Sequence, residues 1–262
     1  MKFSKTILSA TLFMVSGLTV ANTYNSEIEL GYVDNGYSIL NSTQPLPETT
    51  SIYLNGRYHF TAVDTTNKPM AEAAFLQKHS YINAGYTDWD IDVANGANGN
   101  IQNIGFGFYI PETIFYLGAQ HLRFDYDSSD SENDTRFELG ITPIDGLLLS
   151  TVHHEESDDY EANIHAKYVR GLAGNTAINL EASYTDVEYG DAVIQLAADY
   201  YFTNFFSVGA SVTDYEDGSN YSIRSRYFFN DKFAISGEFT SDGELDENAF
   251  FNWRISSLLI LS

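Results

Sequence analysis

Apolar and polar residues alternate along almost the whole chain, in segments of about ten residues divided by turn residues, and few folds accommodate that pattern. Ile28, Leu30 and Tyr32 oppose Glu27, Glu29 and Gly31. Ile52, Leu54, Tyr58 and Phe60 oppose Tyr53, Asn55, Arg57 and His59, and Ile104, Phe106 and Phe108 oppose Asn103, Gly105 and Gly107. The same rhythm returns in Tyr160–Tyr168, Ile178–Tyr184, Ile194–Phe202, Phe206–Val212, Tyr221–Phe229, Phe233–Phe239 and Phe251–Ile255. Two segments are less regular. Ile114–Tyr126 changes its apolar phase near Gln120, which reads as a bulge, and Leu147–His154 opens on three leucines and has no secure phase. Counting both gives about 14 strands, with 12 to 16 compatible, an even number as bacterial barrels require.

The first residues set the compartment. Lys2 and Lys5 precede an apolar run, Ile7–Val20, that is too short to span a bilayer, and Thr19-Val20-Ala21 offers a small-residue cleavage site. The expectation is a signal peptide over 1–21, cleaved after Ala21, followed by one unit over 22–262. In a membrane, an open sheet edge would leave N–H and C=O groups unpaired in hydrocarbon, so the sheet must close on itself. The fold expected is therefore all-β: a transmembrane, antiparallel, up-and-down β-barrel in the bacterial outer membrane.

The connections support this. One set reads as short (Pro111–Thr113, Pro143–Gly146, Gly171–Asn175, Thr203-Asn204, Asn230-Asp231), the other as longer and acidic (Asp127–Asp134, Glu155–Asp159, Asp186–Asp191, Asp214–Ser219, Ser241–Glu247). Short turns at one end and longer loops at the other is how outer-membrane barrels are built. Aromatic residues at strand ends beside the short turns, Tyr58 and Phe60, Tyr200–Phe202 and Tyr227–Phe229, read as an interfacial girdle.

Charge and composition close off other classes. The chain has 13 basic residues, two of them Lys2 and Lys5, leaving 11 against 36 acidic in the mature chain, a balance that repels nucleic-acid phosphates. There is no cysteine, hence no disulfide framework, thiolate metal site or cysteine nucleophile. His153-His154 is a weak metal pair because neighbours on a strand point to opposite faces. The acidic loops lack EF-hand order and read as a solvated face. No cofactor is expected. His121, Ser150, His153 and Asp125 could be assembled into a rim hydrolase only on paper, so no enzyme is expected.

The stretch from Arg57, RYHFTAVDTTNKPMAEAAFLQKHSYINAGY, carries Pro69, Ala71, Glu72, Ala73, Ala74, Phe75 and Leu76, then Asn83 and Tyr86. It resembles the Gammaproteobacterial outer-membrane porins of the putative general bacterial porin family, which implies a porin. Read physically, Pro69–Lys78 is Ala-rich with Glu72 early and Lys78 late, a fair helix turn. It is expected within a periplasmic turn element, 61–79, that caps one rim, with a gate as the functional alternative. The chain departs from the usual pattern at its end: Ser257–Ser262 carries no aromatic residue, so Trp253 would supply the last one, with the tail reading as an extra extension or an altered end.

If the apolar phase faces lipid, the opposite phase lines the lumen. The pore-lining candidates are Arg57, Arg136, Lys167, Arg224, Arg226, Arg254, Glu29, Glu138, Glu181 and Asp199. About eight strands can be filled by side chains, whereas about 14 should leave open space. The function expected is passive diffusion of small polar solutes, with the inner arginines favouring anions. Partners would be outer-membrane lipid and lipopolysaccharide, the barrel assembly machinery and small hydrophilic solutes, and not nucleic acid. The alternatives are a non-conducting barrel serving as anchor or adhesin, and a surface barrel hydrolase.

Overall fold

The computed structural model is a closed barrel of fourteen antiparallel strands, each paired with its neighbours in sequence and β14 with β1. It describes residues 23–39, 48–92, 98–127, 130–155, 160–187, 192–215, 218–242 and 248–261, so the expected cleavage site at Ala21 lies outside the described residues. The strands are β1 (Thr23–Ile39), β2 (Glu48–Asp64), β3 (Tyr81–Asp92), β4 (Asn98–Tyr109), β5 (Phe115–Tyr126), β6 (Glu132–Ile141) and β7 (Leu147–His154). They continue as β8 (Tyr160–Gly171), β9 (Ala177–Val187), β10 (Val193–Thr203), β11 (Phe206–Tyr215), β12 (Gly218–Phe228), β13 (Phe233–Asp242) and β14 (Asn248–Leu261). A 3-10 turn, Met70–Glu72, and a one-turn helix α1, Ala73–Leu76, interrupt the meander between β2 and β3.

The alternation in the sequence is the inside–outside alternation of this wall. Ile28, Leu30, Ile52, Leu54, Ile104, Leu139, Leu196 and Ile223 stand outward and are exposed. Outward rings near one rim run in a chain: Tyr200–Phe202 (4.8 Å between centroids), Phe202–Phe206 (5.5 Å), Phe206–Tyr227 (6.2 Å), Tyr227–Phe229 (4.9 Å) and Phe229–Phe233 (5.7 Å). This belt lies beside the turns after β10 and β12, where an aromatic girdle was expected. Tyr201 and Phe228, within the same clusters, point inward and are buried.

Three expectations are corrected. No bulge occurs in β5, whose register with β4 and β6 is continuous. Its outward residues change from Phe115, Leu117 and Ala119 to His121, Arg123 and Asp125, so the outer wall itself turns polar toward the other rim. The register breaks fall instead at Tyr24/Ser26, Tyr160/Ala162 and Tyr201/Thr203. Residues 257–261 are not an appendage: Leu261 pairs with Ser26 and Leu259 with Phe233, closing the barrel. Asp134 belongs to β6, not to a loop.

The two rims also differ less in loop length than expected. Five residues separate β4 from β5, and five separate β5 from β6, while only two, 216–217, separate β11 from β12. The longest connection, 65–80, is on the rim expected to have short turns, and β2 runs on to Asp64 before it begins.

Candidate functional site in the barrel lumen

The connection between β2 and β3 does not lie along the rim; it folds into the barrel and reaches the far wall. Asn67 (φ 55°) and Lys78 (φ 55°), both in the left-handed region, turn the chain in and out of it. Gln77 fastens its base, donating to the Asp64 carbonyl (2.7 Å) and the Ala73 carbonyl (2.6 Å). The amide of Met70 donates to the carbonyl of Asn204 in the β10–β11 turn (2.9 Å). Met70 and Ala73 are buried with Tyr24, Val63, Phe228, Ala234 and Ile260, an apolar cluster inside the barrel. Burying the Met70 side chain is worth about 1.5–3 kcal/mol.

Glu72 makes the polar half of this anchor. The Tyr201 hydroxyl donates to its Oε1 (2.7 Å), and Lys167 Nζ lies 3.0 Å from its Oε2 and 3.0 Å from Glu181 Oε1. Lys167 Nζ also sits 5.2 Å from the centroid of the Phe75 ring. Beside this segment, His79 contacts Thr61 Oγ1 through Nδ1 (2.6 Å), and partial burial lowers its pKa.

Directly paired residues on neighbouring strands share a face, so the Tyr201–Glu72 contact identifies the inner rows. Through Ser207, Tyr201 leads to Arg226, Ser236, Ser256, Gly31 and Tyr53. On the same face, the next row runs Asp199, Gly209, Arg224, Glu238, Arg254. All ten candidate pore-lining residues fall on this inner phase; Arg123 and Arg170 fall on the outer one.

Most of the candidates are already engaged. Arg224 holds Asp199 with two hydrogen bonds, Nε to Oδ1 and Nη2 to Oδ2, both 2.7 Å. The two strands carrying them are separated by β11, and Gly209 leaves the gap: a Cβ there would lie 2.1 Å from Asp199 Oδ1. Arg254 donates from Nε to the Tyr53 hydroxyl (2.7 Å), with Nη2 3.7 Å from Glu29 Oε1. Arg136 Nε donates to Asp134 Oδ2 (2.6 Å), which His154 Nδ1 also approaches (3.2 Å). Arg57 stacks over the Tyr81 ring at 4.5 Å and reaches Glu27 only at 3.9 Å. No ion pair is found for Arg226 or Glu138 among the described residues.

The inner wall of β2–β5 is different, with amides in place of charge pairs. Asn55 and Asn103 flank Gly85, and Asn83 and Gln120 flank Gly105. Asn83 Nδ2 donates to Asn103 Oδ1 at 3.4 Å. Between this wall and Arg226 lies a cavity of about 420 Å³, with Met70 and Ala71 of the crossing segment among its lining. The sequence showed which residues face inward; it did not show that Glu72, Met70 and Tyr201 meet, because period two carries no information about contacts across a lumen. The residues for a rim hydrolase are not brought together: Ser150 is buried on the inner face, whereas His121, Asp125 and His153 are on the outer one.

The family model described as "Putative general bacterial porin" matches residues 1–140 and 137–256. Among solved structures, the chain is similar to the outer membrane protein Omp33 of Acinetobacter baumannii, at 19% identity and a TM-score of 0.70, covering 91% of this chain and 99% of that one. Matches of lower score include a triple mutant of the Rhodopseudomonas blastica porin (10% identity, TM-score 0.44, 89% and 100% covered). Another is the KdgM porin (9% identity, TM-score 0.42, 88% and 98% covered). The first of these bears on the fold alone, and the other two carry no argument. No curated protein sequence matches.

Proposed function

The chain belongs to the putative general bacterial porin family, and from that premise we propose that it lets small polar solutes diffuse passively across the outer membrane. The observation that supports this best is the closed fourteen-strand wall with an apolar outer phase and an inner phase of charges, amides and glycines. Such an interior holds water, and its charges tune which ions pass. The test is conductance of refolded protein in a planar bilayer, where discrete current steps are expected and a silent barrel would refute the reading.

The crossing segment makes this passage narrow at one end. Its anchor, Met70 in an apolar cluster and Glu72 between Lys167 and Tyr201, is a small set of contacts that can be released without opening the barrel wall. We read the segment as the constriction that sets solute size and, when it undocks, as a gate at the periplasmic mouth. Arg224 is neutralised by Asp199, so anion preference rests mainly on Arg226, with Arg57 as a partial contributor. The barrel has no catalytic role in this account. Export by a signal peptide over 1–21 is part of the same proposal, supported by Lys2, Lys5 and the Thr19-Val20-Ala21 site.

A further inference from the structure

We propose that the lumen cavity above the crossing segment is a low-affinity recognition site for small hydroxylated monocarboxylates, of the size and chemistry of a sugar acid. This rests on the channel reading and names the solute class for it.

The cavity, about 420 Å³, is within the range of roughly 300–1,000 Å³ that small-molecule sites occupy. Two cations line it from different walls, Arg57 on β2 and Arg226 on β12. Arg226 has no carboxylate partner among the described residues. The Arg57 side chain is 44% exposed and meets Glu27 only at 3.9 Å. Both guanidinium groups therefore keep donors for an incoming anion, and a guanidinium fork matches a carboxylate in plane and spacing.

The acids in the same cavity hold hydrogen bonds of their own and keep their charge, so they leave the arginine donors open while limiting how much negative charge the cavity accepts. Glu27 accepts from the Tyr24 hydroxyl (2.8 Å) and lies 3.1 Å from His59 Nε2, while Glu29 accepts from the Tyr53 hydroxyl (3.2 Å) and faces Arg254. Their presence sets the ligand's charge. One negative charge can sit between Arg57 and Arg226, whereas a phosphate dianion would also face Glu27 and Glu29 and be repelled.

The hydroxyls of the ligand have their own wall. Asn55, Asn83, Asn103 and Gln120 also line the cavity. Each amide carries both donors and an acceptor, the combination that suits vicinal hydroxyls, and Gly85 and Gly105 between them give the Asn55, Asn103 and Asn83 side chains room to lie along the wall. A simple carboxylate such as acetate uses only the arginines, and a neutral sugar only the amides. A sugar acid uses both. Binding must stay weak, since a channel site has to release what it takes up.

The test measures binding and conduction separately on the refolded full-length protein. By calorimetry in detergent, galacturonate is expected to bind, with galactose, acetate and galactose 6-phosphate each weaker. Arg226→Gln and Arg57→Gln should each weaken galacturonate by about tenfold, the size of one lost charge-assisted hydrogen bond. Asn83→Ala should weaken galacturonate and leave acetate unchanged. Heat-modifiable migration on gels checks that each variant is folded. In bilayers, galacturonate should produce brief interruptions of current that the two arginine variants shorten. Current steps with no galacturonate preference in either assay would overturn the site and leave the channel reading intact. Binding with no current would uphold the site and overturn the channel. Tighter binding of galactose 6-phosphate than of galacturonate would overturn the assignment of the ligand's charge.

Discussion

The Tyr201 hydroxyl donates to Glu72 Oε1 at 2.7 Å, joining residues 129 positions apart in the chain across the inside of the barrel. Lys167 holds the other carboxylate oxygen at 3.0 Å, so Glu72 carries the polar half of the docking of the crossing segment. Glu72→Ala should cost the docked state about 1–3 kcal/mol, and each 1.4 kcal/mol is about tenfold in the docked–undocked ratio. Faster amide exchange at 70–76 and larger current steps are expected, with a smaller effect from Tyr201→Phe, which removes only one hydroxyl. Unchanged exchange and conductance in Glu72→Ala would show that the segment is held by its apolar contacts alone.

Gly209 permits the Arg224–Asp199 pair. A Cβ there would lie 2.1 Å from Asp199 Oδ1 and 2.8 Å from the Ala198 carbonyl oxygen, so the carboxylate would have to leave. Gly209→Ala should destabilise the barrel by about 1–3 kcal/mol, the usual cost of overpacking, and free Arg224 to act on permeating ions. Urea unfolding in lipid vesicles measures the first effect and a change in ion selectivity the second. A neutral outcome in both would mean that the pair does not form.

The inside–outside phase of β10 has a direct check. Leu196 stands outward, half exposed from the isolated chain (51%), and Gln195 stands inward. An arginine in mid-membrane on a lipid-facing position costs roughly 2–4 kcal/mol. Leu196→Arg should therefore impair folding into vesicles far more than Gln195→Arg; equal yields would reverse the assignment.

The N-terminus is tested by mass. Intact protein from an outer-membrane fraction should begin at Asn22. A mature chain still carrying Met1 would remove the export argument.

Strand phase was legible in the sequence because a lipid-facing wall forces every second residue to be apolar, as in Ile194, Leu196 and Ala198. The same rule misled at β5. The outer wall is apolar only over part of its height, so His121 and Arg123 mimic a phase change that the backbone does not make. The end of the chain misled for the opposite reason: Ser257-Leu258-Leu259-Ile260 breaks alternation because its inward residues pack on an apolar cluster, not against water. Ala-rich Pro69–Lys78 was legible as a non-strand element in a turn, but its destination was not. Contacts such as Glu72 with Tyr201 and Lys167 depend on which walls face each other, and that follows only from the closed barrel.

Reversal potentials under a salt gradient, measured on wild type and Arg226→Glu in the same planar bilayer, test whether the barrel conducts and whether its inner wall sets the selectivity. Screening extends over about 8–10 Å at physiological salt, so charges on the inner wall should outweigh those on the loops. Wild type is expected to give discrete current steps with a modest anion preference, which Arg226→Glu shifts toward cations more than Arg224→Glu does. A wild type that stays silent, or an Arg226→Glu channel with unaltered reversal potential, would contradict this.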